Sequence, residues 1–186
     1  MKPLSLYYVD MKYVRNLSKV SDKVPSVSPQ IGKENRPFLG VITVVDNKSY
    51  CIPITSPKPK YRRIKSPIDM IKVFDESRRG EDHQFFLIGV LNLNNMIPVS
   101  LEVIKEVDIT IHGNDSPETK HYKELMQNQL SWCRAHEATI KNRANKVYRL
   151  VTENPDKNVF LAKRCLPFLE LEQTLQKYLV NTAKKK

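Results

Sequence analysis

The sequence is poor in cysteine and has no long apolar run, and each shortage excludes a class of protein. Its three cysteines, Cys51, Cys133 and Cys165, are odd in number and show no CxxC spacing, which argues against a disulfide framework and for buried thiols. No stretch approaches the ~20 apolar residues of a membrane span, and Asp10 lies where a signal peptide needs an apolar core. We therefore expect a soluble, cytoplasmic protein that makes no membrane contact.

The residue spacings that mark metal and nucleophile sites are also missing. The four histidines lie far apart, at positions 83, 112, 121 and 136, and no HxxxH pair or carboxylate cluster accompanies them. The chain has neither a Gly-rich phosphate loop nor a Gly-x-Ser-x-Gly elbow. We expect no cofactor and no metal site.

Positive charge is what the sequence has in excess. Thirty-one Lys and Arg residues face twenty Asp and Glu residues, a net charge of +11 over 186 residues. Such an excess attracts polyanions, with binding that weakens as salt rises. Nucleic acid is the leading partner class, although solubility alone can also account for the charge.

The first half of the chain carries the pattern of a β-sheet. Residues 38–45 and 50–54 are rich in β-branched side chains and flank a turn at residues 46–48, which predicts a hairpin at the centre of the sheet. Further strands are predicted at residues 4–9, 85–90, 96–99 and 101–111. After the first of these, Asp10 can cap a short amphipathic helix with apolar residues at positions 13, 14, 17 and 20. The type of the apolar stretch at 68–74 stays open.

Helices dominate the second half. Apolar residues recur every three or four positions from 117 to 151, which predicts one long helix or a pair broken between residues 133 and 140. Asp115 or Ser116 can cap its start, and a last helix is predicted at residues 167–180. The sequence thus predicts a single α+β domain over residues 1–186, with a compact antiparallel sheet or small barrel wrapped by helices.

One short motif suggests chemistry. Thr55, Ser56 and Lys58 follow directly on an apolar strand, with Pro57 between the hydroxyls and the lysine. Two hydroxyls and a cation at the end of a strand can bind one phosphate group. A strand end with a proline turn is the plainer interpretation of the tripeptide alone.

This motif and others make the chain resemble the ToxN and AbiQ toxins, with the CptN branch expected as the nearest group. The similarity covers about residues 1–150, in the order Lys23-Val24-Pro25, Phe38-Leu39-Gly40-Val41-Ile42, Pro53 to Lys58, Leu87-Ile88-Gly89, Asn92-Leu93, Met96-Ile97-Pro98, Tyr122-Lys123, Gln129-Leu130 and Arg134.

The resemblance implies a type III toxin–antitoxin endoribonuclease. Such a toxin would cut RNA without a metal, by attack of a ribose 2′-hydroxyl that leaves a 2′,3′-cyclic phosphate and a 5′-hydroxyl. It would act on cellular RNA with a sequence preference, process a structured repeat RNA antitoxin, and be inhibited within a closed oligomeric protein–RNA assembly, with a role in phage defence. The alternative is a non-catalytic RNA-binding regulatory module that only grips phosphate.

The resemblance also implies site residues. Thr55, Ser56 and Lys58 match the family motif, with Ser56 as the essential hydroxyl and Lys58 on phosphate. A second family lysine falls by spacing on Arg36, with Lys33 nearby; arginine does not readily give up a proton, so a base role at position 36 is in doubt. A family tyrosine falls near Gln127, with Tyr122 as the nearby alternative.

Cations elsewhere are candidates for holding RNA away from the cleavage point, and an ordinary solvated face is the plainer explanation of them. Tyr61 and Tyr148 would supply stacking groups beside these cations. The candidate RNA-binding residues are Lys60, Arg62, Arg63, Tyr122, Lys141, Arg143, Lys146 and Arg149.

Overall fold

The fold is an antiparallel sheet with helices packed against it. The computed structural model describes residues 4–24, 37–80 and 85–184, apart from the side chains of residues 41–43. The strands are β1 (Ser5–Val9), β2 (Phe38–Thr43), β3 (Ser49–Thr55), β4 (Met70–Arg79), β5 (Phe85–Asn92), β6 (Ile97–Pro98) and β7 (Ile104–Glu106). The helices are α1 (Met11–Ser18), α2 (Pro59–Arg63), α3 (Pro117–Ala135), α4 (Glu137–Thr152), α5 (Val159–Arg164) and α6 (Phe168–Ala183).

The strand order is β4-β5-β3-β2-β1-β7, with β6 paired to β3 off this path. All pairings among these strands are antiparallel. Within the described residues β4 and β7 are edges that do not meet, so the sheet is open. The predicted α+β sheet is confirmed, and the barrel alternative is wrong.

The predicted central hairpin is confirmed as β2 and β3, which pair from Phe38↔Pro53 to Thr43↔Ser49. The turn between them places Asp46 and Asn47 at φ of 59° and 58°. Asp and Asn tolerate this left-handed region better than other residues with a β-carbon, so the turn sequence fits the turn geometry.

The helical predictions also hold. The carboxylate of Asp10 accepts a hydrogen bond of 2.8 Å from the backbone N–H of Tyr13 and caps α1. Ser116 caps α3, because its Oγ accepts a hydrogen bond of 3.2 Å from the backbone N–H of Thr119. The predicted break in the long helical stretch falls at His136, whose φ of −110° and ψ of 20° separate α3 from α4. The predicted last helix is α6.

Residues 101–111 do not form the predicted long strand. Leu101–Val103 is a 3₁₀ turn and only Ile104–Glu106 pairs with β1. Beyond it, the Asp108 carboxylate accepts a hydrogen bond of 2.9 Å from the N–H of Thr110. Asp side chains that bind the backbone two residues on favour turns over strands. The open question at residues 68–74 is answered by β4, which continues to Arg79.

The helices cover the sheet in separate places: α3 packs on β4 and β5, α4 on β2, and α6 on β6 and α1. A half-buried polar group joins two of these layers. Glu172 of α6 accepts hydrogen bonds from the hydroxyls of Tyr50 (2.7 Å) and Tyr148 (2.9 Å) and lies 2.8 Å from Lys48 Nζ. The Glu172 contacts raise the pKa of Lys48. The Glu172 carboxylate therefore has hydrogen-bond and ion-pair partners at a position where an unpaired charge would destabilise the fold.

The three cysteines are buried free thiols, as expected. Burial raises the pKa of the Cys133 and Cys165 thiols to about 12. Thiols held protonated in this way react poorly. No described helix is long and apolar enough to cross a membrane.

Gly40 of β2 is required by close packing. A β-carbon at this position would lie 2.3 Å from the Cys51 sulfur, which is fully buried. We expect Gly40→Ala to lower the free energy of unfolding by about 1–3 kcal/mol, since overpacking a core forces neighbours out of place. Urea denaturation measures this. Gly113→Ala is the matched control, because a β-carbon there meets nothing within 4 Å; equal losses for both variants would contradict the packing argument.

Candidate active site

The candidate site begins where strand β3 stops pairing. Ile54 pairs with Leu91 and Thr55 with Val90 of β5, and no pairing follows Thr55. Ile54 is buried, Thr55 is half-buried and Ser56 is exposed. Pro57 has no N–H to donate to a neighbouring strand. The strand therefore carries the chain from the core to the surface within three residues.

The two hydroxyls at this strand end differ in freedom. Thr55 Oγ1 donates a 3.4 Å hydrogen bond to the Val90 carbonyl and accepts one of 3.2 Å from Asn92 Nδ2. Ser56 Oγ and Lys58 Nζ have no hydrogen-bond or ion-pair partner among the described residues. The structure thus fixes Thr55 and leaves Ser56 and Lys58 available to an anion from solvent.

A basic segment follows the strand end. Residues 58–67 are exposed apart from Tyr61 and include the short helix α2; their cations are Lys58, Lys60, Arg62, Arg63 and Lys65. Lys72 Nζ of β4 donates a 3.2 Å hydrogen bond to the Arg62 carbonyl. This hydrogen bond ties α2 to the sheet, so the cations are held near the end of β3.

Arg143 fastens the far end of the same segment. From α4 its Nε donates to the Ile68 carbonyl at 2.9 Å, and its Nη2 donates to the carbonyls of Ser66 and Pro67. Burial lowers the pKa of this guanidinium. The sequence singled out Arg143 as an RNA contact, which stays a prediction; the structure commits its Nε and Nη2 groups to the protein backbone.

The remaining cations of α4 differ in availability. Lys141 Nζ lies 2.5 Å from Glu137 Oε1, and Arg149 Nε lies 3.9 Å from Glu153 Oε1. Lys146 is exposed and borders a shallow depression on α4 together with Arg149. The Lys141–Glu137 pair is half-buried and the Arg149–Glu153 pair is exposed. Ion pairs close to solvent contribute little to stability, so these cations can exchange a carboxylate for a phosphate.

Two predicted aromatic contacts differ in outcome. Tyr122 is 42% exposed on α3, whereas Tyr148 is 3% exposed. The Tyr148 ring packs between Tyr50 and Phe168, so the expectation that it stacks on RNA is wrong. Gln127, the other candidate beside Tyr122, donates a 2.8 Å hydrogen bond to the Ile109 carbonyl and holds the chain after β7.

The candidates Lys33 and Arg36 lie outside the described residues, so the structure does not relate them to Ser56. Within residues 4–24, 37–80 and 85–184, no group of three His, Cys, Asp or Glu side chains is arranged to hold a metal ion.

Sequence reasoning missed Asn92 and Lys72. Asn92 belongs to one of the motifs that match the family, but the sequence assigns it no role, whereas in the structure its side chain donates a hydrogen bond to the Thr55 hydroxyl. Lys72 lies in a stretch whose type the sequence leaves open, and it faces Val90 across the β4–β5 pairing. Only the register between distant strands reveals what either residue contacts.

Comparisons with known proteins bear on this geometry. Over residues 5–176 the chain matches the family described as toxin ToxN of type III toxin–antitoxin systems. It is 30% identical to the endoribonuclease ToxN of Bacillus thuringiensis subsp. kurstaki, over 91% of this chain and 81% of that protein.

Two solved structures share the fold. The first is a bacterial type III toxin selectively inhibited by a non-coding RNA pseudoknot, with a TM-score of 0.75, 28% identity, and coverage of 95% of this chain and 98% of that one. The second is AbiQ, a lactococcal anti-phage endoribonuclease, with a TM-score of 0.74, 22% identity, and coverage of 95% and 98%; it shows likeness of fold alone.

The backbone hydrogen bonds of Arg143 lead to a stability prediction. Arg143→Gln leaves three carbonyls without their charged donor, and we expect the free energy of unfolding to fall by about 1.5–3 kcal/mol. Lys146→Gln on the same helix is the matched control and should leave stability unchanged, because this side chain is exposed. Urea unfolding of both variants decides the matter; an Arg143→Gln variant as stable as the parent would show that the clamp does not hold the segment.

Proposed function

Because this chain belongs to the ToxN toxin family of type III toxin–antitoxin systems, it is an endoribonuclease toxin, and we propose that it cuts RNA without a metal ion, by attack of a ribose 2′-hydroxyl on the adjacent phosphate. The observation that carries the proposal is the strand end itself. Ser56 and Lys58 are exposed there beside a fixed Thr55, a set able to bind and stabilise a phosphate.

In this reaction the 2′-oxygen forms a bond to phosphorus and the bond from phosphorus to the 5′-oxygen breaks. The 2′-hydroxyl loses its proton to a base, and the leaving 5′-oxygen gains one. The products are a 2′,3′-cyclic phosphate and a 5′-hydroxyl. Negative charge builds up on the phosphate oxygens, where preorganised donors and cations lower the barrier most.

The described residues supply the electrostatic part of this reaction. Lys58 neutralises the phosphate, and Ser56 Oγ–H donates a hydrogen bond to a non-bridging oxygen. Thr55, held by Val90 and Asn92, fixes the direction in which Ser56 leaves the sheet. From the family resemblance, either Arg36 acts as an electrostatic clamp on the phosphate, or Lys33 takes the place of the family's second lysine.

RNA away from the cleaved bond lies on the basic segment and on α4. Lys60, Arg62 and Arg63 contact the backbone next to the site. Lys141, Lys146 and Arg149 extend this surface along α4, with Tyr122 of α3 as an additional contact. Arg143 serves as the clamp described above.

The partners follow from the family. The toxin binds a structured repeat RNA antitoxin, processes the precursor of that RNA at the same site, and is inhibited while bound in a closed oligomeric assembly. Freed, it cuts cellular RNAs with a sequence preference in the cytoplasm. A role in phage defence is part of the proposal, as the resemblance to this toxin family implies. An RNA-binding module without catalysis is the competing explanation of the same surface.

A single substitution tests the catalytic assignment. Purified protein in EDTA should cut RNA and leave 2′,3′-cyclic phosphate ends, and Ser56→Ala should reduce the rate at least ~100-fold, as expected when a transition-state donor is removed. End-group mapping and single-turnover rates measure both effects. Ser66→Ala, an exposed serine in the same segment, is the control and should cut at the parent rate.

Three results would contradict the proposal. Native cleavage by Ser56→Ala would remove the hydroxyl from the mechanism. Loss of cleavage in EDTA with recovery on adding a divalent ion would show metal dependence. Tight RNA binding by the parent protein with no cleavage under any condition would favour the non-catalytic module.

A second substitution tests the basic segment. In a Ser56→Ala background that preserves the RNA, the double change Arg62→Gln and Arg63→Gln should weaken binding most at low salt. The slope of log K against log salt should become shallower by about one unit for each phosphate that the variant no longer binds. Filter binding across salt concentrations measures this. The control is the double change Lys177→Gln and Lys184→Gln, which removes the same amount of charge in and just after α6. If this control weakened RNA binding equally, net charge and not the basic segment would explain the effect.

A further inference from the structure

A small cleft lies between α2 and the β4–β5 hairpin. It is lined by Arg62 of α2, Lys72 and Phe74 of β4, Gly80, and Phe85, Phe86 and Leu87 of β5. The cleft volume is about 150 Å³, below the ~300–1,000 Å³ of pockets that enclose drug-sized ligands. It has room for one flat ring system.

Strand register places this cleft beside the candidate active site. Val90 of β5 pairs with Thr55 on one side and with Lys72 on the other. Directly opposed residues on neighbouring antiparallel strands project to the same face of a sheet, so Thr55 and Lys72 share a face. Strands lie about 4.8 Å apart, which separates the two backbones by about 10 Å. An RNA strand with a phosphate at Ser56 can extend into the cleft.

The cleft combines the two chemistries that an unpaired nucleotide needs. The Lys72 ammonium is held by the Arg62 carbonyl at 3.2 Å and retains two further N–H donors for a phosphate. Phe85 is 36% exposed, and the Arg79 guanidinium lies 4.7 Å from its ring centroid. Aromatic rings backed by arginine are favourable platforms for nucleobases.

A larger groove elsewhere on the described surface shows the opposite character. It measures about 800 Å³ and lies between α6 and the β2–β3 turn, with apolar walls and the carboxylates of Asp46, Glu102 and Glu172. Lys48, the cation in that groove, is paired with Glu172. Carboxylates repel phosphates, so RNA is directed to the basic and aromatic cleft and away from the larger groove.

We propose that this cleft is a nucleotide subsite that binds the unpaired base flanking the cleaved phosphate, with the base on Phe85 and Phe74 and its phosphate on Lys72 and Arg62. The inference rests on the function proposed above, since it takes RNA cut at Ser56 as the occupant. It assigns Phe85 and Lys72 a part in substrate selection.

An abasic scan tests the subsite. The substrate is a short oligoribonucleotide that spans a cleavage site mapped with the parent protein, and each flanking nucleotide in turn is replaced by an abasic one. For the parent, removing one particular base should lower kcat/KM roughly ten- to a hundredfold, the range expected for a lost base–aromatic stack. Phe85→Ala should cause a similar loss on the intact substrate, and that same abasic change should then have almost no further effect.

Two further variants serve as controls for the Phe85→Ala result. Phe85→Leu keeps apolar bulk if the alanine variant fails to fold, and it should reproduce the loss of sensitivity to the abasic position. Phe160→Ala changes the most exposed large hydrophobic side chain, which is 85% exposed on α5, and should match the parent at every abasic position. Folded Phe85 variants that cut at the parent rate, or that stay sensitive to every abasic change, would overturn the subsite.

The Ser56 and Phe85 variants together distinguish failure of the subsite from failure of the catalytic proposal. If Ser56→Ala is inactive while Phe85→Ala and Phe85→Leu behave as the parent, the active site stands and the subsite fails. If Ser56→Ala remains active, the catalytic assignment fails whatever Phe85 does.

Discussion

Strand β3 is hydrogen-bonded along both edges, and the point at which that pairing ends positions the rest of the candidate site. β2 pairs with one edge, while β6 and β5 in turn pair with the other. Buried Ile52 and Ile54 hold the strand in the core, so Thr55 has little freedom to shift. The hydroxyl of Ser56 and the ammonium of Lys58 then emerge from a rigid base. A catalytic group placed on a strand end in this way needs little reorganisation when a substrate binds.

The basic segment after β3 is irregular, and its placement depends on contacts with distant parts of the chain. Lys72 holds its middle and Arg143 holds its end, in both cases through backbone carbonyls. Next to it, Asp69 is buried and accepts two hydrogen bonds of 3.1 Å from the Arg164 guanidinium. Bidentate pairs of this kind are directional. The helices thus do more than cover the sheet, because they fix the loop that carries the cations.

Charge is distributed unevenly over the protein, and that distribution separates two surfaces. Cations collect on α2 and on the exposed face of α4, whereas carboxylates line the groove beside α6. Glu172 at that groove is paired with Lys48 and accepts hydrogen bonds from two tyrosine hydroxyls, so it also ties α6 to the sheet and to α4. A polyanion is therefore attracted to the basic segment that follows Ser56 and to α4 more than to the groove beside α6, a difference that the net charge of +11 does not express.

The sequence by itself determined the elements that depend on local patterns. The β2–β3 hairpin follows from its turn residues, the caps at Asp10 and Ser116 from their side chains, and the helix break at His136 from an interrupted apolar stripe. Motif similarity singled out Thr55, Ser56 and Lys58. Tertiary structure alone decided which side chains remain available: it commits Arg143 to backbone carbonyls, buries Tyr148, and brings Lys72 across two strands to the face of Thr55. Pairing register and burial depend on contacts between residues far apart in the chain, and the local periodicity of the sequence does not predict such contacts.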